Sequence, residues 1–173
     1  MKQLLIVIDN QVDFVTGSLG FPGAVQIQDA ICRKIEAYRA AGDEVIYTLD
    51  THGPDYLATA EGRALPVVHC VRDTPGWQLY GQSAQLLKDA RHFEKSAFGC
   101  AALLPYLQAG KYDRVELCGL VSNICVLSNA VLAKAALPEA EVVVDAACTA
   151  CADPEQNREA LEVLANLQVK VLR

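Results

Sequence analysis

The stretch RVELCGLVSNICVLSNAVLAKAAL, residues 114–137, joins two segments of different character across a short turn. Its first part, RVELCGL, is short and mostly apolar, which is typical of a buried β-strand. Its second part, NICVLSNAVLAKAAL, is strongly apolar and has the length of a helix. A strand followed directly by a helix is the repeating unit of α/β proteins with a parallel sheet.

The same alternation recurs along the whole chain. Further strands are predicted for LLIVID (4–9), EVIYTLD (44–50), HFEKS (92–96), EVVVDAA (141–147) and VKVLR (169–173). Helices are predicted for VQIQDAICRKIEAYRAAG (25–42), SAQLLKDAR (83–91), AALLPYLQAG (101–110) and DPEQNREALEVLANL (153–167). The LLIVID run lacks polar alternation, which favours a strand buried on both faces. The pattern predicts an α/β fold: one domain, residues 1–173, with a mostly parallel sheet between two layers of helices.

Composition limits the functional classes. The 173-residue chain is 52% hydrophobic and 21% charged, which indicates a folded globular protein. Its net charge of −6 argues against a nucleic-acid partner, which needs a basic face. No apolar stretch is long enough to span a bilayer, and the first apolar run stops at Asp9, so neither a membrane partner nor a signal peptide is expected. Seven cysteines without the spacing of a small secreted domain are expected to be reduced, which predicts a cytoplasmic protein.

Polar side chains follow several of the predicted strands. Asp9 follows the first strand, Asp50 and His52 the second, Lys95 the third, and Cys125 lies just past the RVELCGL strand. In open parallel sheets, ligands bind outside the carboxyl ends of the strands. We therefore expect these side chains to converge on one edge of the sheet.

Cys125 is a candidate nucleophile, because it falls in the first turn of its predicted helix. Backbone N–H groups and the helix dipole at such a position favour a thiolate and could also hold an oxyanion. Asp9 is a candidate base, since desolvation at the end of an apolar strand raises a carboxyl pKa, and Lys95 could offset that rise. The alternative is that Cys125 is a small buried helix residue, as most cysteines are, and that Asp9 and Lys95 are capping or surface residues.

A second group of polar residues suggests a metal site. Asp50 and His52 are two residues apart at a strand end, so both side chains point the same way, and Glu61 and His69 follow in the next loop. Two carboxylates and two imidazoles suit Zn²⁺, Mn²⁺ or Fe²⁺. The alternative is that Asp50 and His52 cap a turn while Glu61 is solvated.

Several other residues carry weaker signals. The C-x-x-C of residues 148–151 has no second pair and no thioredoxin-like context, so we interpret it as loop cysteines before a helix. His92 lies in a predicted strand and is interpreted as structural. Trp77 and Tyr80 lie in the irregular stretch 51–82, where they either line a pocket or anchor the loop. Irregular stretches of that length are usually functional.

Four motifs together resemble the isochorismatase-like cysteine hydrolases, and among them the nicotinamidases: IVIDNQVDF, then DTH…EG…LPVVHC, then EKSAFG, then CGLVSNICV. The resemblance covers residues 4 to about 153 in the expected order. It implies a Rossmann-like, six-stranded sheet with helices on both faces, and a homo-oligomer, since members often form dimers or tetramers.

The resemblance also implies roles for individual residues. Asp9 would be the base, Lys95 its electrostatic partner, and Cys125 the nucleophile that forms a thioester while ammonia leaves. The Leu120–Val121 peptide would be cis, and the N–H groups of Val121 and Cys125 would form the oxyanion hole. Phe14 and Leu120 would line the substrate pocket.

The metal ligands of nicotinamidases also have counterparts here. Asp50, His52 and His69 match the three common ligands and Glu61 the variable fourth, so the resemblance implies a divalent metal, Zn²⁺ first, that binds the ring nitrogen of the substrate. One departure is Pro66, which stands where many nicotinamidases carry an aromatic residue that stacks on the pyridine ring. The first hypothesis is therefore an amidase acting on nicotinamide or a related pyridine carboxamide. The alternatives are a cysteine hydrolase of another small amide, carbamoyl or ureido compound, and a non-catalytic binding protein with the same fold.

Overall fold

A computed structural model describes all 173 residues and contains one six-stranded sheet in which every neighbouring pair is parallel. The strands are β1 (Gln3–Ile8), β2 (Glu44–Asp50), β3 (Arg91–Lys95), β4 (Arg114–Leu120), β5 (Glu141–Ala150) and β6 (Lys170–Leu172). Their spatial order is β3-β2-β1-β4-β5-β6. The α/β fold class is confirmed, and the sheet is wholly rather than mostly parallel.

Eight helices connect the strands and cover the sheet. They are α1 (Val12–Val15), α2 (Pro22–Gln26), α3 (Gln28–Ala40), α4 (Ala60–Ala64), α5 (Gly81–Leu86), α6 (Leu103–Gly110), α7 (Leu127–Ala136) and α8 (Pro154–Asn166). None of them combines the length and the apolar character needed to cross a bilayer.

The core lies on both faces of the sheet, as the uninterrupted apolar run of β1 predicts. Leu4, Ile6 and Ile8 pack in one cluster with apolar residues of α6, α7 and α8. Leu5 and Val7 pack in another with residues of α3. Successive side chains of a strand point to opposite faces, so a strand between two helix layers must be apolar at every position.

Two predicted helices and the long irregular stretch differ from the sequence prediction. The helix predicted over residues 25–42 is interrupted at Ile27, which separates α2 from α3. The helix predicted from residue 123 begins as a π-helical turn, Ser122–Val126, and becomes α-helical at Leu127. The stretch 51–82 contains α4 and two 3₁₀ turns, Tyr56–Ala58 and Pro75–Trp77.

The structure gives the surroundings of three side chains whose roles the sequence left open: Trp77, His92 and Cys148. Trp77 anchors its loop, because its indole N–H donates to Thr51 Oγ1 at 2.9 Å. His92 stacks on Tyr47 in the sheet. Cys148 lies within β5 rather than in a loop, and β5 extends as far as residue 150 because its register against β4 is shifted by a bulge.

The strand order fixes where a ligand can bind. The chain runs outward from β1 through β2 and β3, and then returns to place β4 on the other side of β1. Crevices at such a reversal, outside the carboxyl ends of the strands, are the usual ligand sites of doubly wound folds. The residues after β1 and β4 therefore border the principal crevice.

Candidate active site

Three polar side chains meet at the carboxyl edge of the sheet. Asp9 directly follows β1, Lys95 ends β3, and Cys125 lies in the π-helical turn after β4. Lys95 Nζ lies 2.7 Å from Asp9 Oδ2 and 3.5 Å from Cys125 Sγ. All three side chains are buried, with residue exposures of 0%, 6% and 5% for Asp9, Lys95 and Cys125. The predicted convergence is thus present in the structure.

Burial sets the protonation of this group. Desolvation raises the pKa of Asp9, and the nearby Lys95 charge only partly offsets that rise. Burial would lower the pKa of Lys95, but the charges of Asp9 and Asp50 and the hydrogen bond to Asp9 outweigh it and raise that pKa, so the ammonium stays protonated.

Burial of the Cys125 thiol opposes the thiolate that the helix start favours. Desolvation raises the pKa of its thiol well above the ordinary value, and the Asp9 carboxylate raises it further. The stabilisation expected from the helix start does not overcome burial, and the thiol lies in a π-helical turn rather than in the first turn of α7. The thiol must therefore pass its proton to an acceptor when it reacts. Asp9 Oδ2 is buried and accepts no hydrogen bond of good geometry.

Two polar residues that the sequence did not single out hold the acidic side chains. Thr48 Oγ1 donates to Asp9 Oδ1 at 2.6 Å and accepts from the Asp9 backbone N–H at 3.2 Å. The Gln11 carboxamide bonds both the N–H and the carbonyl of Asp50, at 2.8 and 2.9 Å. Both contacts join residues 39 positions apart, so no local sequence pattern predicts them.

A third overlooked residue, Asn129, ties the nucleophile turn to the segment after Lys95. Its Nδ2 donates to the carbonyls of Cys125, at 2.8 Å, and Phe98, at 3.0 Å. Its Oδ1 accepts the Cys100 N–H at 2.8 Å. Asn129 is fully buried, and buried polar groups need hydrogen-bond partners. The sequence does not reveal this burial, because α7 also contains the polar residues Ser128 and Lys134.

The four predicted metal ligands form one compact group. One ligand atom from each of Asp50, His52, Glu61 and His69 can be chosen so that all lie within 4.8 Å of one another. Asp50 Oδ2 is 3.0 Å from His52 Nε2 and 3.4 Å from His69 Nε2. Glu61 Oε1 is 3.8 Å from His52 Nε2 and 3.7 Å from His69 Nε2. Ligands about 2.0–2.2 Å from a Zn²⁺ ion have separations of this order.

The orientation of His69 fits a metal ligand. Its Nδ1 lies 2.7 Å from the Val67 carbonyl, which can only accept, so Nδ1 carries a proton and Nε2 faces the carboxylates. Metal-binding histidines are usually oriented by such a bond. Burial alone would lower the pKa of His69, but the Asp50 carboxylate, the Val67 carbonyl and the Glu61 charge together outweigh burial and raise that pKa. The two carboxylates thus favour positive charge between the side chains, as a proton or as a metal ion.

The thiol adjoins a cavity of about 380 Å³ that also reaches Asp50, Glu61 and His69 of the candidate metal-binding group. Phe14 lines this cavity, as expected. Leu120 does not: its side chain is fully buried and packs with Phe14 and Val15 in the core, while the next residue, Val121, borders the cavity. The Leu120–Val121 peptide bond is cis, as the resemblance implies. Pro66 is exposed and is not among the lining residues.

Known proteins resemble this chain in sequence and in overall structure. A curated relative, the uncharacterized isochorismatase family protein PncA of Bacillus subtilis (strain 168), is 32% identical over 144 residues, covering 76% of this chain and 78% of its own. The crystal structure of a nicotinamidase/pyrazinamidase PncA from Bacillus subtilis superposes with a TM-score of 0.90 at 30% identity, with full coverage of both chains.

Two further solved structures are similar over almost their whole length. The pyrazinamidase of Pyrococcus horikoshii in complex with zinc has a TM-score of 0.87 and 26% identity, covering 100% of this chain and 99% of its own. The N-carbamoylsarcosine amidase of Thermoplasma acidophilum has a TM-score of 0.81 and 27% identity, covering 100% and 96%.

The family model of the isochorismatase domain matches residues 3–173. The match spans nearly the entire sequence, including all six strands, the three converging polar residues and the metal-binding group. The chain therefore belongs to the isochorismatase-like hydrolase family.

Proposed function

We propose that the protein is a cysteine amidohydrolase that converts nicotinamide, or a related pyridine carboxamide, to the acid and ammonia. The observation that carries this proposal is the adjacency of two groups: the thiol, carboxylate and ammonium of Cys125, Asp9 and Lys95, and the four-residue metal-binding group on the same cavity. The similar nicotinamidase and pyrazinamidase structures support it.

In the proposed reaction, Asp9 Oδ2 accepts the thiol proton as Cys125 Sγ attacks the substrate carbonyl. The negative charge that develops on the carbonyl oxygen is stabilised by the backbone N–H groups of Val121 and Cys125. When the C–N bond breaks, Asp9 returns the proton to the departing nitrogen, and ammonia and a Cys125 thioester result. Asp9 then removes a proton from water, and the resulting hydroxide attacks the thioester. As the C–S bond breaks, Asp9 passes that proton to Cys125 Sγ, which restores the thiol and ionised Asp9 and releases the acid. Throughout, Lys95 stabilises the ionised form of Asp9.

The metal-binding group would orient the substrate. Asp50, His52, Glu61 and His69 supply two carboxylates and two imidazoles, a donor set that suits Zn²⁺ first and also Mn²⁺ or Fe²⁺. A divalent ion held there supplies a Lewis acid for the lone pair of a pyridine nitrogen. Phe14, which packs edge-on against His69 at a centroid distance of 5.7 Å, would form the wall beside the ring.

The second candidate is a hydrolase of another small amide, carbamoyl or ureido compound with the same Cys125 chemistry. Two observations favour it: Pro66 provides no aromatic face for a pyridine ring, and the structurally similar N-carbamoylsarcosine amidase carries a ureido substrate in its name.

The test is ammonia release from nicotinamide by the purified protein, with and without added Zn²⁺ or Mn²⁺. The variants are Cys125→Ala and, as a matched control, Cys32→Ala, which removes another buried thiol, on α3. Release that only Cys125→Ala abolishes supports the nicotinamidase function. If nicotinamide gives no ammonia but iodoacetamide still alkylates Cys125, the result supports the second candidate. If the protein neither releases ammonia nor is alkylated at Cys125, it is a non-catalytic protein.

A further inference from the structure

A second cavity adjoins the one that holds the nucleophile. This outer cavity, of about 790 Å³, lies over Thr51–Gly53, α4 and the segment Ser96–Phe98. Four residues line both cavities and form a ridge between them: Glu61, Leu65, Phe98 and Ile124. The two cavities therefore adjoin along this ridge.

Three of the four ridge residues are apolar and exposed to solvent. Leu65, Phe98 and Ile124 have exposures of 39%, 47% and 38%. A single exposed apolar residue needs no explanation, but three that meet at the border of a cavity indicate a binding surface. Ile124 directly precedes Cys125, so the ridge is attached to the reacting group.

Charge restricts what the two cavities can bind. Neither cavity is lined by a lysine or an arginine. The inner cavity is lined by the carboxylates of Asp50, Glu61 and Asp153, and the outer one by that of Glu61. A carboxylate or phosphate on the substrate would find no cationic side chain there, whereas a neutral apolar group would be desolvated favourably.

Nicotinamide is a single ring with one carboxamide, and the inner cavity alone is within the size range of sites for larger ligands. We propose that the natural substrate is a carboxamide whose acyl part carries an uncharged apolar substituent, and that this substituent crosses the ridge into the outer cavity. This inference rests on the proposed amidase function. If the substrate carbonyl lies at Cys125 and its ring lies near Glu61, a substituent on the ring lies directly beside the ridge.

The inference is tested by measuring kcat/KM for ammonia release by the Zn²⁺-loaded protein. The substrates are nicotinamide, nicotinamides with a propyl group at ring position 4, 5 or 6, and nicotinamides with a carboxylate group at the same positions. A buried methylene contributes about fourfold in binding. At least one propyl derivative is therefore expected to exceed nicotinamide by about tenfold or more, while no carboxylate derivative does.

The variant Ala64→Phe fills the outer cavity, since Ala64 lines the outer cavity but not the inner one. It is expected to bring the propyl-to-nicotinamide ratio of kcat/KM back toward one. The matched control, Ala165→Phe, places the same side chain at an exposed alanine of α8 that lines neither cavity, and should keep the ratio.

Nicotinamide turnover without faster turnover of any propyl derivative would overturn the inference and leave the amidase function standing. An unchanged ratio in Ala64→Phe would also overturn it. If the ridge instead packs against a second copy of the chain, the ratio is near one and Phe98→Ser lowers the sedimentation coefficient, which again overturns it. If no amide of the series is hydrolysed, the proposed function fails and the inference with it.

Discussion

The ammonium group of Lys95 lies 3.3 Å from Oδ1 of Asp50. The other oxygen of the same carboxylate, Oδ2, faces His52 and His69. Burial opposes ionisation of Asp50, but hydrogen bonds from both histidines and the Lys95 charge hold its pKa well below the usual range. One ionised carboxylate thus joins the nucleophile group to the metal-binding group, and a change in either group is expected to affect the other.

The pH dependence of kcat/KM should reveal Asp9 as the base. Only ionised Asp9 can accept the thiol proton, and burial raises its pKa above the ordinary 3.8, so activity is expected to fall on the acid side at a midpoint above that value. Thr48→Val removes a hydrogen bond that lowers the pKa of Asp9, so the midpoint should move to still higher pH. Thr48→Ser keeps the hydroxyl and should leave the midpoint in place. Identical profiles for both variants would argue against Asp9 as base.

Glu61→Gln should weaken metal binding. Glu61 is the most exposed member of its group, with 19% side-chain exposure, and it faces both His52 and His69. Loss of its charge is expected to lower Zn²⁺ affinity by about tenfold or more, measured by competition with a chromophoric chelator. Glu139→Gln changes an exposed glutamate outside the group and serves as the control. Equal affinities of both variants would exclude Glu61 as a ligand.

Gly119→Ala should destabilise the fold severely. Gly119 is the penultimate residue of β4 and has φ +108°, and a Cβ there would lie 2.0 Å from the Ile8 carbonyl oxygen. The two central strands would have to separate. Gly42→Ala is the matched control, since it also has positive φ, +77°, but its Cβ would meet nothing within 4 Å. Urea denaturation should give a loss of about 1 kcal/mol for Gly42→Ala and several times more for Gly119→Ala. Similar losses would mean that β1 and β4 are less tightly apposed.

Glu116→Gln should reduce both stability and its acid dependence. Glu116 is 2% exposed on β4 and contacts Lys34 at 2.6 Å and Arg114 at 2.9 Å. Burial opposes its ionisation, but hydrogen bonds, first that of Lys34 and then that of Arg114, lower its pKa below 4.5. Its stabilisation is therefore complete above pH 4.5 and is lost as pH falls through the lowered pKa.

The neutral variant should lose about 2 kcal/mol at pH 7, because it weakens the charge-assisted hydrogen bonds of a buried side chain to Lys34 and Arg114, while both cations keep a second carboxylate partner, Asp145 and Glu141. Its stability should also depend less on pH below 4.5 than that of the wild type. Glu159→Gln, at an exposed position of α8, should change neither property. A Glu116→Gln protein as stable as the wild type would contradict the role of this ion cluster.

The sequence by itself determined the alternation of strands and helices and the set of residues at one sheet edge. LLIVID favours a strand buried on both faces, because residues 4–8 offer no polar side to water. Parallel strands all end at the same edge, so Asp9, Asp50, Lys95 and Cys125 had to approach one another. Both results follow from local periodicity and chain direction.

Only the tertiary structure decided how these residues are held and charged. The support of Asp9 by Thr48, the sharing of Asp50 between two groups and the inward position of Leu120 depend on contacts between distant parts of the chain. The protonated state of Cys125 follows from burial, which helix position alone does not reveal. Such contacts and desolvation arise only when the layers pack, and for that reason periodicity located the site but not its chemistry.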